Sequence, residues 1–310
     1  MVSKIYPKIL ASECALILDT SIQNIHKKIK DLKLDVTKSQ NRVYFTHTSS
    51  KKLLNLKFKK KSFSFLLVKG GVGKTTISFL FAVRSALLGA KVALIEIDQQ
   101  ANLTRSCGIN AKELPVIIDV ITDKIPINSC LVPVCDGLDL LPSRVDNALL
   151  DNHLMMGKYP LDKVFLNFVK ELKQKYDIII FDCPPSVGAG VTAAALASDT
   201  IVMPVNPTDY SIAGLDLTYK ELNNLFHQYE KTTEMKILFN KYDARTNLSF
   251  STMSELIKHP DYGDKMIQSY IRVNQSIENS LSMGKTIFDF IKNTTEKEDF
   301  SLITNELLGL

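Results

Sequence analysis

From Ser62 onward, apolar runs rich in β-branched residues alternate with stretches whose apolar positions recur every three or four residues. The runs SFSFLLV (62–68), KVALIEI (91–97), LDLLP (138–142), YDIIIFD (176–182), TIVMPV (200–205) and MKILFN (235–240) predict strands. Helices are expected between them, at Thr75 to Leu88, Leu161 to Lys175 and Ile212 to Tyr229. Such alternation requires a mostly parallel sheet with crossover helices. Strands apolar throughout, rather than at every second position, place helices on both faces of that sheet. The fold class is α/β, with no internal repeat and no low-complexity segment.

The first sixty-one residues follow another pattern. Ile22, Ile25, Ile29 and Leu32 fall at helical spacing behind the candidate N-caps Thr20 and Ser21. A shorter helix is expected over Ser12 to Leu18, with Leu18-Asp19-Thr20 as the turn. Two helices joined by a tight turn, the second carrying Gln23, Asn24, Lys27, Lys28 and Lys30 outward, match a helix-turn-helix. Asn41 to Phe45 reads as a strand or wing, and Ser49 or Ser50 is expected to open a third helix. Lys57, Lys59, Lys60 and Lys61 form a basic linker into the body. The segment resembles the winged helix-turn-helix modules of bacterial regulators, and the domain boundary falls between residues 61 and 62.

Charge sharpens that division. Residues 1–61 hold fourteen Lys/Arg against four acids, a net +10, so the other 249 residues sum to −5. Basic modules meet nucleic acid because each phosphate they neutralise releases counterions, although a solvated basic face has the same composition. No run of about 18 apolar residues is present, which predicts no membrane-spanning helix. MVSKIYPKIL has too little apolar length for a secretory signal. The five cysteines are scattered; Cys130 and Cys135 lack a matching second pair for zinc, so reduced thiols in a cytosolic protein are expected.

Residues 62–88 read as strand, glycine-rich turn and helix. Such a turn converges backbone N–H groups and the positive end of a helix on an anion. In VKGGVGKTT (68–76), Gly70, Gly71 and Gly73 flank Val72 and allow close backbone approach, Lys74 reaches β- and γ-phosphates, and Thr75, followed by Thr76, offers a hydroxyl to Mg2+. The common pattern has glycine at position 68, where this chain has valine, and a second lysine, Lys69, precedes the glycines. Asp98 in IEIDQQANLT (95–104) and Asp182 in YDIIIFDCPPS (176–186) stand at the carboxyl ends of strands. Open α/β sheets bind ligands at that edge.

KGGVGKT is identified as the deviant Walker A loop of the ParA/MinD ATPase family, and the resemblance covers about residues 62–310. It implies a Mg2+-dependent ATPase that forms a homodimer on ATP. Lys69 is then the lysine that reaches the partner's nucleotide, a cation supplied in trans as an arginine finger is. Asp98 falls where the family's carboxylate positions the attacking water, and Asp182 resembles the Walker B acid; both are grouped with Thr75 around one Mg2+. Glu96 and Gln99 replace the first aspartate and the proline of the family's D-x-D-P-Q. SDTIVMPVNPTDYSIAGL (198–215) is similar to the family's strand and loop near the nucleotide, which brings Pro207 to the site. Asn240, in ILFNKYDARTNLS (237–249), is expected to read the adenine edge. In IRVNQSIENSLSMGKTIFDF (271–290), Arg272-Val273-Asn274 takes the place of Pro-Arg-Asn.

The branches of that family differ. MinD-type proteins end in a basic amphipathic helix that lies on membrane, whereas TTEKEDFSLITNELLGL is acidic. Nitrogenase-type reductases need paired bridging cysteines, and arsenic-pump types carry a second nucleotide loop; neither feature is present. The ParA branch implies a cytoplasmic, nucleoid-associated ATPase that partitions plasmid or chromosome, binds DNA as an ATP dimer, and is stimulated by a ParB-like partner. Candidate DNA contacts are Lys220, Arg245 and Arg272 in the body and Gln23, Asn24 and Lys27 in the module. Two other readings stay open: a nucleotide-switched repressor reading an operator through the module, and a small-molecule kinase or ligase, which would need a substrate cleft.

Overall fold

The computed structural model describes residues 5–39 and 41–310; the first four residues of the N-terminal stretch lie outside them. The chain opens with strand β1 (Ile9–Leu10), helices α1 (Ala11–Ile17) and α2 (Ile22–Asp31), strands β2 (Thr37–Ser39) and β3 (Arg42–Phe45), and helix α3 (His47–Leu54). β3 lies between β1 and β2 and is antiparallel to both. Ser21 is the cap of α2, its hydroxyl accepting the Asn24 N–H at 3.2 Å, while Thr20 takes the Asn24 side-chain amide at 2.8 Å. Of the expected apolar stripe only Ile25 is buried; Ile22 and Leu32 are exposed, as are Gln23, Asn24, Lys27 and Lys30. α3 starts two residues earlier than Ser49, because buried His47 is anchored by its Nδ1 to the Ala86 carbonyl at 2.7 Å.

The body follows with strands β4 (Lys61–Phe65), β5 (Val92–Glu96), β6 (Val132–Cys135), β7 (Leu138–Leu141), β8 (Ile178–Asp182), β9 (Thr200–Val205) and β10 (Glu234–Phe239). They form one sheet in the order β10-β9-β4-β8-β5-β7-β6, parallel except for β6 against β7. β6 escaped the sequence reading because Pro133 interrupts a four-residue run at the sheet edge, where a missing N–H is tolerated. β4 opens at Lys61, inside the segment read as linker, and Lys61 pairs with Glu234 at 2.8 Å. It stops at Phe65, short of Val68, whose N–H has turned to the Thr218 hydroxyl at 3.1 Å. The three central strands end level: Phe65 pairs with Asp182, and Asp182 with Glu96. The loops leaving those ends therefore meet above the sheet.

The remaining helices are α4 (Lys74–Leu87), α5 (Asn102–Ser106), α6 (Ile117–Thr122), α7 (Leu150–Met156), α8 (Leu161–Leu172), α9 (Ala189–Ala197), α10 (Asp209–Gln228), α11 (Asn247–Lys258), α12 (Gln275–Ser282) and α13 (Thr295–Leu308). One face of the sheet is covered by α8, α9 and α10 through Phe165, Ala193 and Leu222. The other is covered by α4 and α13 through Phe79, Val83, Phe300 and Ile303. That second core runs without a break into Ile9, Cys14, Ile25 and Phe45 of the N-terminal unit. A unit of this size buries too little surface to be secure alone, and α4 completes it. Gly89, at φ +102, lets the chain pass α3, since an added Cβ would lie 2.8 Å from the Lys51 Cα. Among the described residues no helix is long and apolar enough to cross a membrane.

Candidate nucleotide site

The loop after β4 closes around its own lysine. Lys74, first residue of α4 and buried, donates its Nζ to the carbonyls of Leu67 at 3.0 Å and Lys69 at 2.9 Å. Burial pushes its pKa below the ordinary lysine value, opposed by the nearby Asp182, Cys183 and Asp98. Gly73 adopts φ +93, and a Cβ there would sit 2.7 Å from the Asn240 Nδ2. No other residue type meets both conditions. Asn240, at the end of β10, donates to the Val72 carbonyl at 2.8 Å, and Asn206, after β9, to that of Gly71 at 3.3 Å. Gly70, Gly71, Gly73, Lys74, Thr75 and Thr76 thus line a cavity of about 440 Å3 that also receives Asp98 and Cys183.

Two acids stand at this end of the sheet in different surroundings. Asp182 is fully buried, and neither carboxylate oxygen has a hydrogen-bond partner. Burial, reinforced by Glu96 and Asp98, pushes its pKa up to about 8, while the neighbouring Thr75 and Ser78 hydroxyls oppose the rise without closing a hydrogen bond. A buried carboxyl with no donor is costly as an anion unless a cation joins it. With the Thr75 hydroxyl beside it, the donors are hard oxygens that suit Mg2+. Among the described residues no cluster of three or more His, Cys, Asp or Glu could hold a metal unaided. The site therefore fits an ion that keeps water and phosphate oxygens as its other ligands.

Asp98 is 8% exposed, and its Oδ1 accepts the Gln100 N–H at 2.9 Å. Glu96, two residues earlier, is fully buried and spent on the next helix, accepting the N–H groups of Leu103 and Thr104 at 2.8 Å each. It does not reach the cavity.

Other expected residues lie elsewhere. Lys69 is exposed and lines no part of the phosphate cavity; its stem packs at Gly214 and its Nζ lies over the Tyr210 ring. Pro207 does not line the cavity either; its neighbour Asn206 makes the contact with the loop. Asn240 borders a second cavity that shares Gly71, Gly73 and Thr76 with the first, together with Lys241 and Arg272 to Gln275, and its amide nitrogen is committed to Val72. That bond shapes the loop and leaves the side-chain oxygen of Asn240 at the cavity edge. Arg272 is not a free DNA contact, because Asp299 holds its guanidinium at 2.5 and 2.9 Å. Arg245 is exposed but chelated by Asp243 at 2.8 and 2.9 Å; Lys220 is exposed. Sequence reasoning missed Asn206 and Thr218, which tie the loop down from outside its motif. The only signal for Thr218 was its spacing of four from Gly214 and eight from Tyr210, one face of α10.

This arrangement has relatives. The AAA domain family matches residues 60–237. The sporulation initiation inhibitor protein Soj of Bacillus subtilis (strain 168) is 31% identical over 226 residues, which cover 71% of this chain and 87% of that protein. The chain belongs to the ParA-type partition ATPase family. A second member of the ParA family, the chromosome-partitioning ATPase Soj of Treponema pallidum (strain Nichols), is 27% identical over 254 residues, 80% of this chain and 97% of that one. The ParA fold is also that of Cyanothece apo McdA, which superposes with a TM-score of 0.72 at 19% identity over 80% of this chain and 99% of that one. As a ParA family member the protein is a P-loop ATPase. Residues 1–59 lie outside the AAA match.

Proposed function

We propose that this protein is a partition ATPase that pairs on binding ATP, binds DNA as the pair, and lets go when a ParB-like partner stimulates hydrolysis. The cargo is plasmid or chromosome, and the setting is the nucleoid in the cytoplasm. One observation carries the reading: Lys74, Thr75 and Asp98 line one cavity, with Asp182 buried beside Thr75, while the second loop lysine, Lys69, stands outside it on the open surface. Among the described residues no acid pairs with Lys69, which leaves it available to a second subunit.

In this reading the backbone of Gly70 to Thr75 cradles the phosphates and Lys74 exchanges its two loop carbonyls for phosphate oxygens. Thr75 and Asp182 would hold Mg2+, which when bound neutralises charge on the phosphates. Asp98 orients the attacking water. Lys69 of one subunit stabilises charge on the phosphoryl group held by the other. Light scattering and hydrolysis rates of wild type and Lys69→Ala, with ATP and Mg2+ and with or without DNA, test this. Equal pairing and equal turnover in the variant would end the role in trans.

The N-terminal unit supports a second, compatible reading as an operator-binding repressor. Its order of elements, with α1 and α2 ahead of the β2–β3 hairpin, supports the reading of a winged helix-turn-helix. α2 presents Gln23, Asn24 and Lys27 to solvent, and the hairpin presents Lys38 and Arg42. Lys220 and Arg245 remain the body's candidate contacts. A footprint at one operator that changes between ADP and ATP would favour this reading; sequence-independent binding that falls steeply with salt would favour cargo transport alone.

A further inference from the structure

Side chains that do not line the phosphate cavity form a continuous run of hydrogen bonds beneath the Asp98 turn. Glu96, besides its two backbone donors, accepts the Thr104 hydroxyl at 2.5 Å. That hydroxyl oxygen in turn accepts the Ser143 N–H at 2.9 Å. The Ser143 hydroxyl donates to the Asp98 carbonyl at 2.7 Å and accepts the Asn147 side-chain amide at 2.8 Å. Glu96, Thr104, Ser143 and Asn147 are all buried.

The network pins both ends of one turn. At its start the Asp98 carbonyl takes two donors, the Ser143 hydroxyl and the Ala101 N–H at 3.0 Å. At its end Thr104 is tied to Glu96, and between them Ala101 occupies the left-handed region at φ +51. Gln99 leaves free a torsion that a proline at that position would lock. The restraint on the turn comes instead from hydroxyls on Thr104 and on the segment after β7.

We infer that Ser143 and Thr104 are positioning residues for hydrolysis: they fix the backbone of the Asp98 turn so that its carboxylate faces the phosphate cavity. This rests on the reading of Asp98 as the residue that orients water. The geometry a positioned group needs is fine, and a shift of about 1 Å costs on the order of 100-fold in rate.

The test uses the full chain with Ser143→Ala, Thr104→Val (similar volume, no hydroxyl), Thr104→Ser (hydroxyl kept) and Asp98→Ala. Single-turnover hydrolysis of ATP is measured beside equilibrium binding of a fluorescent ATP analogue and thermal melting. Ser143→Ala and Thr104→Val are expected to slow hydrolysis about 10-fold or more while nucleotide affinity stays within about twofold of wild type, and Thr104→Ser to restore most of the rate. Wild-type hydrolysis in folded Ser143→Ala and Thr104→Val overturns the inference, as does loss of affinity in step with rate. Should Ser143→Ala fail to fold, the Val/Ser pair at Thr104 decides. If Asp98→Ala hydrolyses normally, the reading of Asp98 falls; if it is inactive while the network variants are normal, only the positioning role falls.

Discussion

The Lys69 Nζ lies 5.4 Å from the centroid of the Tyr210 ring, so the second lysine of the loop rests on its own subunit. Tyr210 is 77% exposed, and a cation over an exposed ring gains about 0.5–1 kcal/mol. That contact must be given up if the ammonium is to reach a partner. Each subunit of a pair gives up one such contact, about 1–2 kcal/mol in all, so Tyr210→Ala should pair at a protein concentration about 5- to 30-fold lower than wild type in ATP, with Tyr210→Phe behaving as wild type. Protein-concentration dependence of ATP hydrolysis measures this, and a rise in the required concentration would reverse the sign of the argument.

Asp182 makes the nucleotide-free protein sensitive to pH. Its folded pKa, about 8, stands above the ordinary 3.8, so the folded protein keeps a proton that the unfolded chain has released. The penalty for ionising Asp182 begins above about pH 4, grows as pH rises, and is complete above about 8. Asp182→Asn should raise stability on the alkaline side by about 1–3 kcal/mol, the scale of an unpartnered buried polar group, and abolish hydrolysis. Melting temperatures of both proteins between pH 5 and 9, without nucleotide, should diverge as pH rises. Parallel curves would remove the assignment.

Arg84 and Glu13 join α4 to α1 at 3.1 Å, with Arg84 only 2% exposed. Removing one partner of such a pair strands the other charge, a loss of about 3–5 kcal/mol. Arg84→Ala should show that loss in urea unfolding, and the double variant Arg84→Met with Glu13→Gln should recover much of it. A double variant no better than the single one would mean the packing of Arg84 over Phe288, rather than the charges, holds the joint.

DNA binding should separate the exposed side chains by kind. Lys27→Ala is expected to weaken binding to every sequence and lower the salt slope by about 1, as loss of a single phosphate contact does. Gln23→Ala should change sequence preference instead. Arg272→Ala should leave DNA affinity alone and lower stability, since Asp299 loses its partner. Binding titrations on two DNA sequences at several salt concentrations distinguish these outcomes.

The parallel sheet and the phosphate loop were legible because each is written in consecutive residues: near-continuous apolar strands, then glycines, lysine and threonine at fixed offsets. Asp98 and Asp182 could be placed because strand ends in such sheets converge. What could not be read was how side chains far apart in sequence fall together. Nothing local to Asn240 announces that it braces Val72 across 168 positions of chain. Arg272 was counted as a free cation because nothing local announces Asp299, 27 residues on. The independence of the first sixty-one residues also looked plain from their charge. Charge reports the solvent side, however, and the apolar side of that unit is completed by α4.

That shared core fixes more than stability. Because Ile25 of α2 belongs to the same packed interior as Phe79 and Val83 of α4, the basic helix keeps a set bearing relative to the phosphate loop. Two such molecules brought face to face would carry their α2 helices like the jaws of a calliper, at one gap. If such a pair binds DNA as proposed, the duplex has to present its grooves at that interval.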